Sequence, residues 1–189
     1  MRPYGLVLSG GQSTRMGRDK GSIVYPPRAL DQRSHLYQLL KPHCEKVFVS
    51  VNSGQVGVVP GDFPLIADCE FGQGPGLGLL SAERLHPNQS WLVVACDFPW
   101  LEKITLDQLI RDRDPLLSAT AFEGPGGFVE PFLTIWEPRA VGRLRHDFST
   151  LQFSPRKTLE ALNIARLKPE HLRSLQNVNL PNDLSHQNS

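Results

Sequence analysis

Residues 8–21 read LSGGQSTRMGRDKG, which sets four glycines among Arg15, Arg18 and Lys20 directly after an apolar run. Backbone N–H groups at Gly10 and Gly11 can approach oxygen atoms more closely than a substituted residue permits. The cations that follow add charge, and the two properties together suit an anion with several oxygens, a phosphate or triphosphate. The stretch is not a P-loop of the form G-x-x-x-x-G-K-[ST]. The spacing from Gly11 to Gly17 is one residue too long, and Arg18 rather than lysine follows Gly17. The dinucleotide fingerprint G-x-G-x-x-G is absent as well.

A second candidate is Asp97, which follows the apolar run WLVVAC at 91–96. A carboxylate at a strand end can hold Mg²⁺, which keeps several waters and binds one or two protein oxygens plus substrate phosphates. Asp97 also suits a turn before Pro99. The segment RDRDP carries Asp112 and Asp114 as D-x-D, a spacing that binds metal in many sugar-nucleotide transferases. Here the pair follows an amphipathic stretch with arginine on either side, so solvated helix-end charges describe it better.

These residues need a frame. Apolar runs at 4–9, 46–51, 64–67 and 91–96 alternate with amphipathic stretches at 32–43, 77–86, 105–111 and 155–163. Near-continuous apolarity predicts strands covered on both faces, hence a mostly parallel sheet in a three-layer α/β domain. Thr105 reads as a helix cap, and Ser154-Pro155 as a helix start. Segments 116–122 and 131–136 read as strands around EGPGGFVE, a turn or flap. In open α/β sheets ligands sit beyond the carboxyl ends of the strands, where both the glycine loop and Asp97 would emerge.

At 189 residues the chain suits one domain, drawn as 1–184 with a frayed tail at 185–189. Lys plus Arg number 20 against 19 for Asp plus Glu, so no basic field argues for nucleic acid. No apolar run approaches a membrane span or a secretory signal, and a soluble, cytoplasmic protein is expected. Cys44, Cys69 and Cys96 lack metal or disulfide spacing and read as buried reduced thiols.

The loop resembles the signature L-x-G-G-x-S-x-R-M-G-x-D-K of the nucleotidyltransferases, matched by Leu8, Gly10, Gly11, Ser13, Arg15, Met16, Gly17, Asp19 and Lys20. Over most of its length the chain is similar to molybdenum cofactor guanylyltransferase. GPGLGLLSA (74–82) resembles the family's G-P-L-A-G, CDFP (96–99) its C-D-x-P, and NVNLPNDL (177–184) its N-V-N-T-P-E-D-L. The resemblance implies a Rossmann-like nucleotidyltransferase fold, with Arg15, Lys20 and Asp97 as catalytic residues and Asp97 and Asn179 at Mg²⁺. It further implies a nucleotide site drawn from Leu8, Ser9, Gly10, Gly11, Lys20, Asn52, Asp68, Asp97, Asn177 and Asn179. Asp68 as a carboxylate suits guanine, since it can accept from N1–H and the exocyclic amine, though it equally suits a strand-end turn.

GTP and a molybdopterin-type phosphate acceptor are then the implied substrates, with molybdoenzyme or cofactor-delivery proteins as partners. The chain departs from the family between Lys20 and the first helix, where GSIVYPPRALDQRS lacks the usual G-K-P-L, and at Ser9, where alanine is common. The glycine-rich loop 123–130 bears on the acceptor pocket, where Glu130 and Pro131 fall. A cytidylyltransferase for the same pterin, a small sugar-phosphate nucleotidyltransferase and a non-catalytic nucleotide-binding accessory protein all share the donor loop.

Overall fold

The computed structural model describes residues 1–10, 19–59, 61–68, 74, 76–124 and 126–177. Within them the apolar runs become strands β1 (Tyr4–Leu8), β2 (Val47–Val51), β3 (Leu65–Ala67), β4 (Trp91–Ala95), β5 (Ala119–Glu123), β6 (Val129–Trp136) and β7 (Ala165–Leu167). They form one seven-stranded sheet in the order β3-β2-β1-β4-β6-β5-β7. Only β6 among the described strands runs against its neighbours, β4 and β5, and the other pairings are parallel.

Among the described residues five α-helices cover the sheet: α1 (Gln32–Leu40), α2 (Leu77–Leu85), α3 (Lys103–Arg111), α4 (Pro138–Ser149) and α5 (Pro155–Glu160). Successive strand residues point to opposite faces, so Val7 and Val94 join one core while Leu6 and Val93 join another. Leu36 and Leu40 of α1 with Leu106 and Leu109 of α3 close the first core. Leu79 of α2, Val141 and Leu144 of α4, and Leu159 of α5 close the second. The result is the three-layer α/β arrangement that the uninterrupted apolar strands imply. No helix among the described residues is long and apolar enough to cross a membrane.

Several local expectations change. Thr105 is not a cap: α3 starts at Lys103 behind an extended Glu102, and Thr105 is buried inside the helix. Helix α1 stops at Leu40 rather than running to 43. Pro42 has no N–H to offer the Gln38 carbonyl, which ends the ladder. Between β5 and β6, Gly124 N–H donates to the Phe128 carbonyl at 2.8 Å, and Gly126 and Gly127 have positive φ, in keeping with a turn there. Cys44 and Cys96 are buried and free, and burial pushes both thiols up to about 12. Cys69, the boundary drawn at 184 and the tail 185–189 lie outside the described residues.

Asp112 ends α3 and accepts from Arg111 at 2.8 Å, and Asp114 accepts from the Leu116 N–H at 2.9 Å. Both precede β5 at the sheet edge where strands begin. The D-x-D spacing is therefore helix-end and turn charge, away from the edge where the glycine loop leaves.

Candidate active site

Parallel pairing aligns Leu8 with Ser50 on one side and with Ala95 on the other, while Val51 aligns with Ala67. Chain order sends β1 outward to β2 and β3, and the later β4 returns to the opposite flank of β1. That reversal opens a crevice beyond the carboxyl ends, the usual ligand position in such sheets. Gly10, Asn52, Asp68 and Asp97 each follow the end of a different strand and so share this edge.

On the β2–β3 side the contacts are close. Ser50 Oγ donates to Asp68 Oδ1 at 2.5 Å, and the Asp68 N–H is held by the Val51 carbonyl at 2.8 Å. Asn52 Nδ2 reaches toward the Gly10 carbonyl at 3.5 Å. A Cβ added to Gly10 would lie 2.7 Å from Asp68 Oδ2 and 2.8 Å from the Asn52 nitrogen, so only glycine fits between them. Burial pushes the Asp68 carboxyl above its ordinary value, opposed by the Ser50 bond. We expect Gly10→Ala to push the loop off Asn52 and Asp68, raising the nucleotide Kd roughly tenfold or more. Nucleotide titration monitored by calorimetry checks this, with an unchanged far-ultraviolet spectrum as control.

On the β4 side stands Asp97, half-buried, whose Oδ1 is buried without a hydrogen-bond partner. Burial pushes its carboxyl up, while the charge of Lys20 and its own backbone N–H draw it back down. Lys20 therefore lies within electrostatic reach of Asp97. Lys20 opens a short 3₁₀ turn, Lys20–Ser22, whose cap Asp19 accepts from the Gly21 N–H at 2.9 Å. Asp19 also takes Arg33 Nη2 at 2.5 Å, and Arg33 Nε donates to Ser9 Oγ at 2.9 Å. Arg33 is wholly buried, so one guanidinium on α1 ties the exit of β1 to the residue before Lys20. Tyr25 comes close as well: its hydroxyl is buried without a partner, and burial pushes it above its ordinary value, with Cys96 and Asp97 adding to the rise.

The far wall comes from β6. Glu130 is half-buried, accepts from the Phe132 N–H at 3.1 Å, and has the Asn177 side chain nearby. Burial pushes the Glu130 carboxyl up, and the charge of Asp97 adds to that rise.

Of the residues singled out in the sequence, Gly10, Asn52 and Asp68 meet on one side, while Lys20, Asp97, Glu130 and Asn177 gather on the other. Leu8 is still in the β1 ladder, its carbonyl accepting from the Cys96 N–H at 3.2 Å. Ser9 spends its N–H on the Ser50 carbonyl and its hydroxyl on Arg33. Gly11, Arg15 and Asn179 lie outside the described residues. Sequence reading missed Arg33 and Tyr25. Arg33 looks like one more polar helix residue, and its partners are 14 and 24 positions away.

A model of the MobA-like NTP transferase domain matches residues 5–165. The chain belongs to this family of nucleotidyltransferases. A MobA-like relative, the molybdenum cofactor guanylyltransferase of Pseudomonas putida, is 30% identical over 182 residues, 95% of this chain and 94% of that protein. The molybdenum cofactor biosynthesis bifunctional protein of Synechocystis sp. is 33% identical over 182 residues, but the chain spans only 52% of its length. Among solved structures, molybdopterin-guanine dinucleotide biosynthesis protein A from Archaeoglobus fulgidus superposes with a TM-score of 0.79 at 21% identity, over 96% of this chain and 95% of that one. That superposition supports the MobA-like fold.

Proposed function

We propose that the chain transfers GMP from GTP to the phosphate of a molybdopterin-type acceptor and releases pyrophosphate. The observation that carries the reading is the unpartnered Oδ1 of Asp97, beside Lys20 and across the crevice from Gly10. The name of the Pseudomonas relative, a molybdenum cofactor guanylyltransferase, supports the choice of guanine and of the acceptor, and that of the Synechocystis relative supports molybdenum cofactor biosynthesis.

The residues present fit Mg²⁺. A buried carboxylate oxygen without a partner is a ligand position, and no cluster of three or more metal-binding side chains occurs among the described residues. Such a sparse donor set suits a cation that takes one or two protein oxygens and fills its shell with phosphate and water. Asp97 would hold it, with Asn179 as the second protein ligand that the family resemblance implies. When bound, Mg²⁺ would supply charge compensation for the triphosphate.

This chain's own groups align the reactants. Gly10 N–H and the loop that follows receive the nucleotide, Asp68 faces the base, and Lys20 lies against the phosphates. An acceptor phosphate oxygen attacks the α-phosphorus and forms the new P–O bond, while the bond to the β-phosphate breaks and pyrophosphate leaves with its electron pair. A phosphate monoester, with a second pKa near about 6, is mostly dianionic at neutral pH and needs no side chain to deprotonate it. Alignment and charge compensation then suffice, in keeping with a crevice that shows no histidine or thiol nucleophile among its described residues.

Pyrophosphate release measured with molybdopterin and each triphosphate in turn tests the assignment. GTP is expected to support release and CTP to do so weakly; release with CTP alone overturns the guanine assignment. Asp68→Ala is expected to raise the KM for GTP roughly tenfold to a hundredfold and to narrow the preference over CTP. The ratio of kcat/KM values reads that directly.

A further inference from the structure

The stretch 21–34, where the chain departs from the family's G-K-P-L, reaches the loop that follows Asp97. Carbonyls at 98, 99 and 100 are all held there by side chains from outside the loop. Gln32 Nε2, on the first residue of α1, donates to the Phe98 carbonyl at 2.9 Å, and Arg28 Nη2 donates to the Pro99 carbonyl at 2.6 Å. Ser174 Oγ donates to the Trp100 carbonyl at 3.3 Å. The first two donors are themselves joined, since Arg28 Nη1 donates to Gln32 Oε1 at 3.1 Å. With Oε1 taken by a cation, the N–H end of the Gln32 amide is the end left for Phe98. Arg28 is held in turn: its backbone N–H donates to the Tyr25 carbonyl at 3.0 Å, and its guanidinium stands 5.4 Å from the centre of the Tyr25 ring. That ring meets the Trp100 indole edge-on at 6.1 Å.

We propose that Arg28 and Gln32 are positioning residues that fix the loop after Asp97 and so keep the Asp97 carboxylate in its place in the crevice. Their value for catalysis rests on the transfer reading above, but the fastening does not. The loop has little means to fix itself. Pro99 brings no N–H, and Phe98 and Pro99 are both buried, so their carbonyls need partners. A carbonyl released by either donor would turn toward water, and rotation of that peptide would carry the neighbouring Asp97 with it. A guanidinium suits the task because its rigid fork reaches two acceptors at once, Gln32 Oε1 and the Pro99 carbonyl, where an ammonium is a single point.

Hydrogen exchange of the metal-free and nucleotide-free chain tests the fastening. Arg28 is only half-buried, so Arg28→Ala leaves the core alone. In that variant the peptide covering 97–101, whose Leu101 N–H donates to the Phe98 carbonyl at 3.3 Å, should exchange roughly tenfold faster, with β4 amides unchanged. Gln32→Glu keeps the acceptor for Arg28 but turns an oxygen toward Phe98, and it should speed the same peptide. Arg28→Lys keeps a donor and should restore part of the protection. Positioning is read separately. In Arg28→Ala the Mg²⁺ concentration for half-maximal pyrophosphate release should rise roughly tenfold, while the GTP Kd measured without metal stays within about twofold. Unchanged exchange in Arg28→Ala would overturn the fastening. An unchanged Mg²⁺ requirement, or a metal-free GTP affinity lost to the same extent, would overturn the positioning of Asp97. A parent chain that releases no pyrophosphate, with the exchange result as expected, would overturn the transfer reading and leave the fastening in place.

Discussion

Asp97→Asn should abolish nucleotidyl transfer while leaving the fold as stable as before or more so. The carboxylate occupies a poor place for a charge, half-buried and with Oδ1 unpartnered. Its carboxyl stands above the ordinary value even with Lys20 nearby, so folding favours the neutral form more than the unfolded chain does. The folded state thus binds that proton more tightly than the unfolded state. Its stabilising contribution is complete below the unfolded pKa of about 3.9 and is lost as pH rises through the folded one. At neutral pH the ionised group works against folding, and asparagine, which copies the neutral shape, removes that burden. Thermal unfolding in a chelating buffer should therefore place the variant at or above the parent at pH 7. The gap should close near pH 4. Pyrophosphate release should fall roughly a thousandfold, as expected for losing a ligand worth several kcal/mol of charge compensation. A variant that keeps full turnover would refute the role of Asp97, and one that melts far below the parent would refute the account of its burial.

That tension between stability and chemistry explains what was legible in the sequence. WLVVA and YGLVL are apolar at every position, which only a strand buried on both faces can use, so the residues following them had to emerge at one edge. Asp97 and Gly10 were placed by that argument alone. Helix α4 went unread although Ala140, Val141, Leu144 and Phe148 recur at helical spacing among Arg139, Arg143, Arg145, His146 and Asp147. Gly142 in its interior dilutes the signal. β7 is three residues long, too short for a period to show. Thr105 misled because threonine suits both a cap and a buried first turn, and the burial of α3 decided between them.

Contacts made through the sheet were the least legible. The facing of Asp97 and Glu130 depends on β6 running backwards, which is a property of topology and not of either segment. The same holds for Asp68 lying over Gly10: Asp68 equally suits a strand-end turn and Gly10 an anion loop, and only the aligned strands bring the two together. Arg33 is the extreme case, a charge on the face of α1 that also carries Leu36 and Leu40, where periodicity predicts an apolar side chain.

Asp19→Ala should be the most destabilising single change at the crevice, because it strands that arginine. Arg33 has no exposed side-chain surface, while Asp19 retains 30%, and their contact is 2.5 Å. Removing one partner of a buried pair leaves the other charged and uncompensated, at a cost of about 3 kcal/mol for a pair with one side still wetted. For a domain of this size that is a fall in Tm of roughly 10 °C. Turnover should fall as well, since Asp19 also caps the turn that begins with Lys20. Asp19→Ala combined with Arg33→Met separates the two effects. Replacing both charges with apolar groups of similar bulk should recover most of the lost Tm, because no buried charge remains. Turnover should stay low, because the turn cap and the tie from α1 through Ser9 to Lys20 are both gone. Recovery of turnover along with Tm would show that Lys20 finds its place without them, and an unshifted Tm in Asp19→Ala would show that Arg33 is satisfied by other groups.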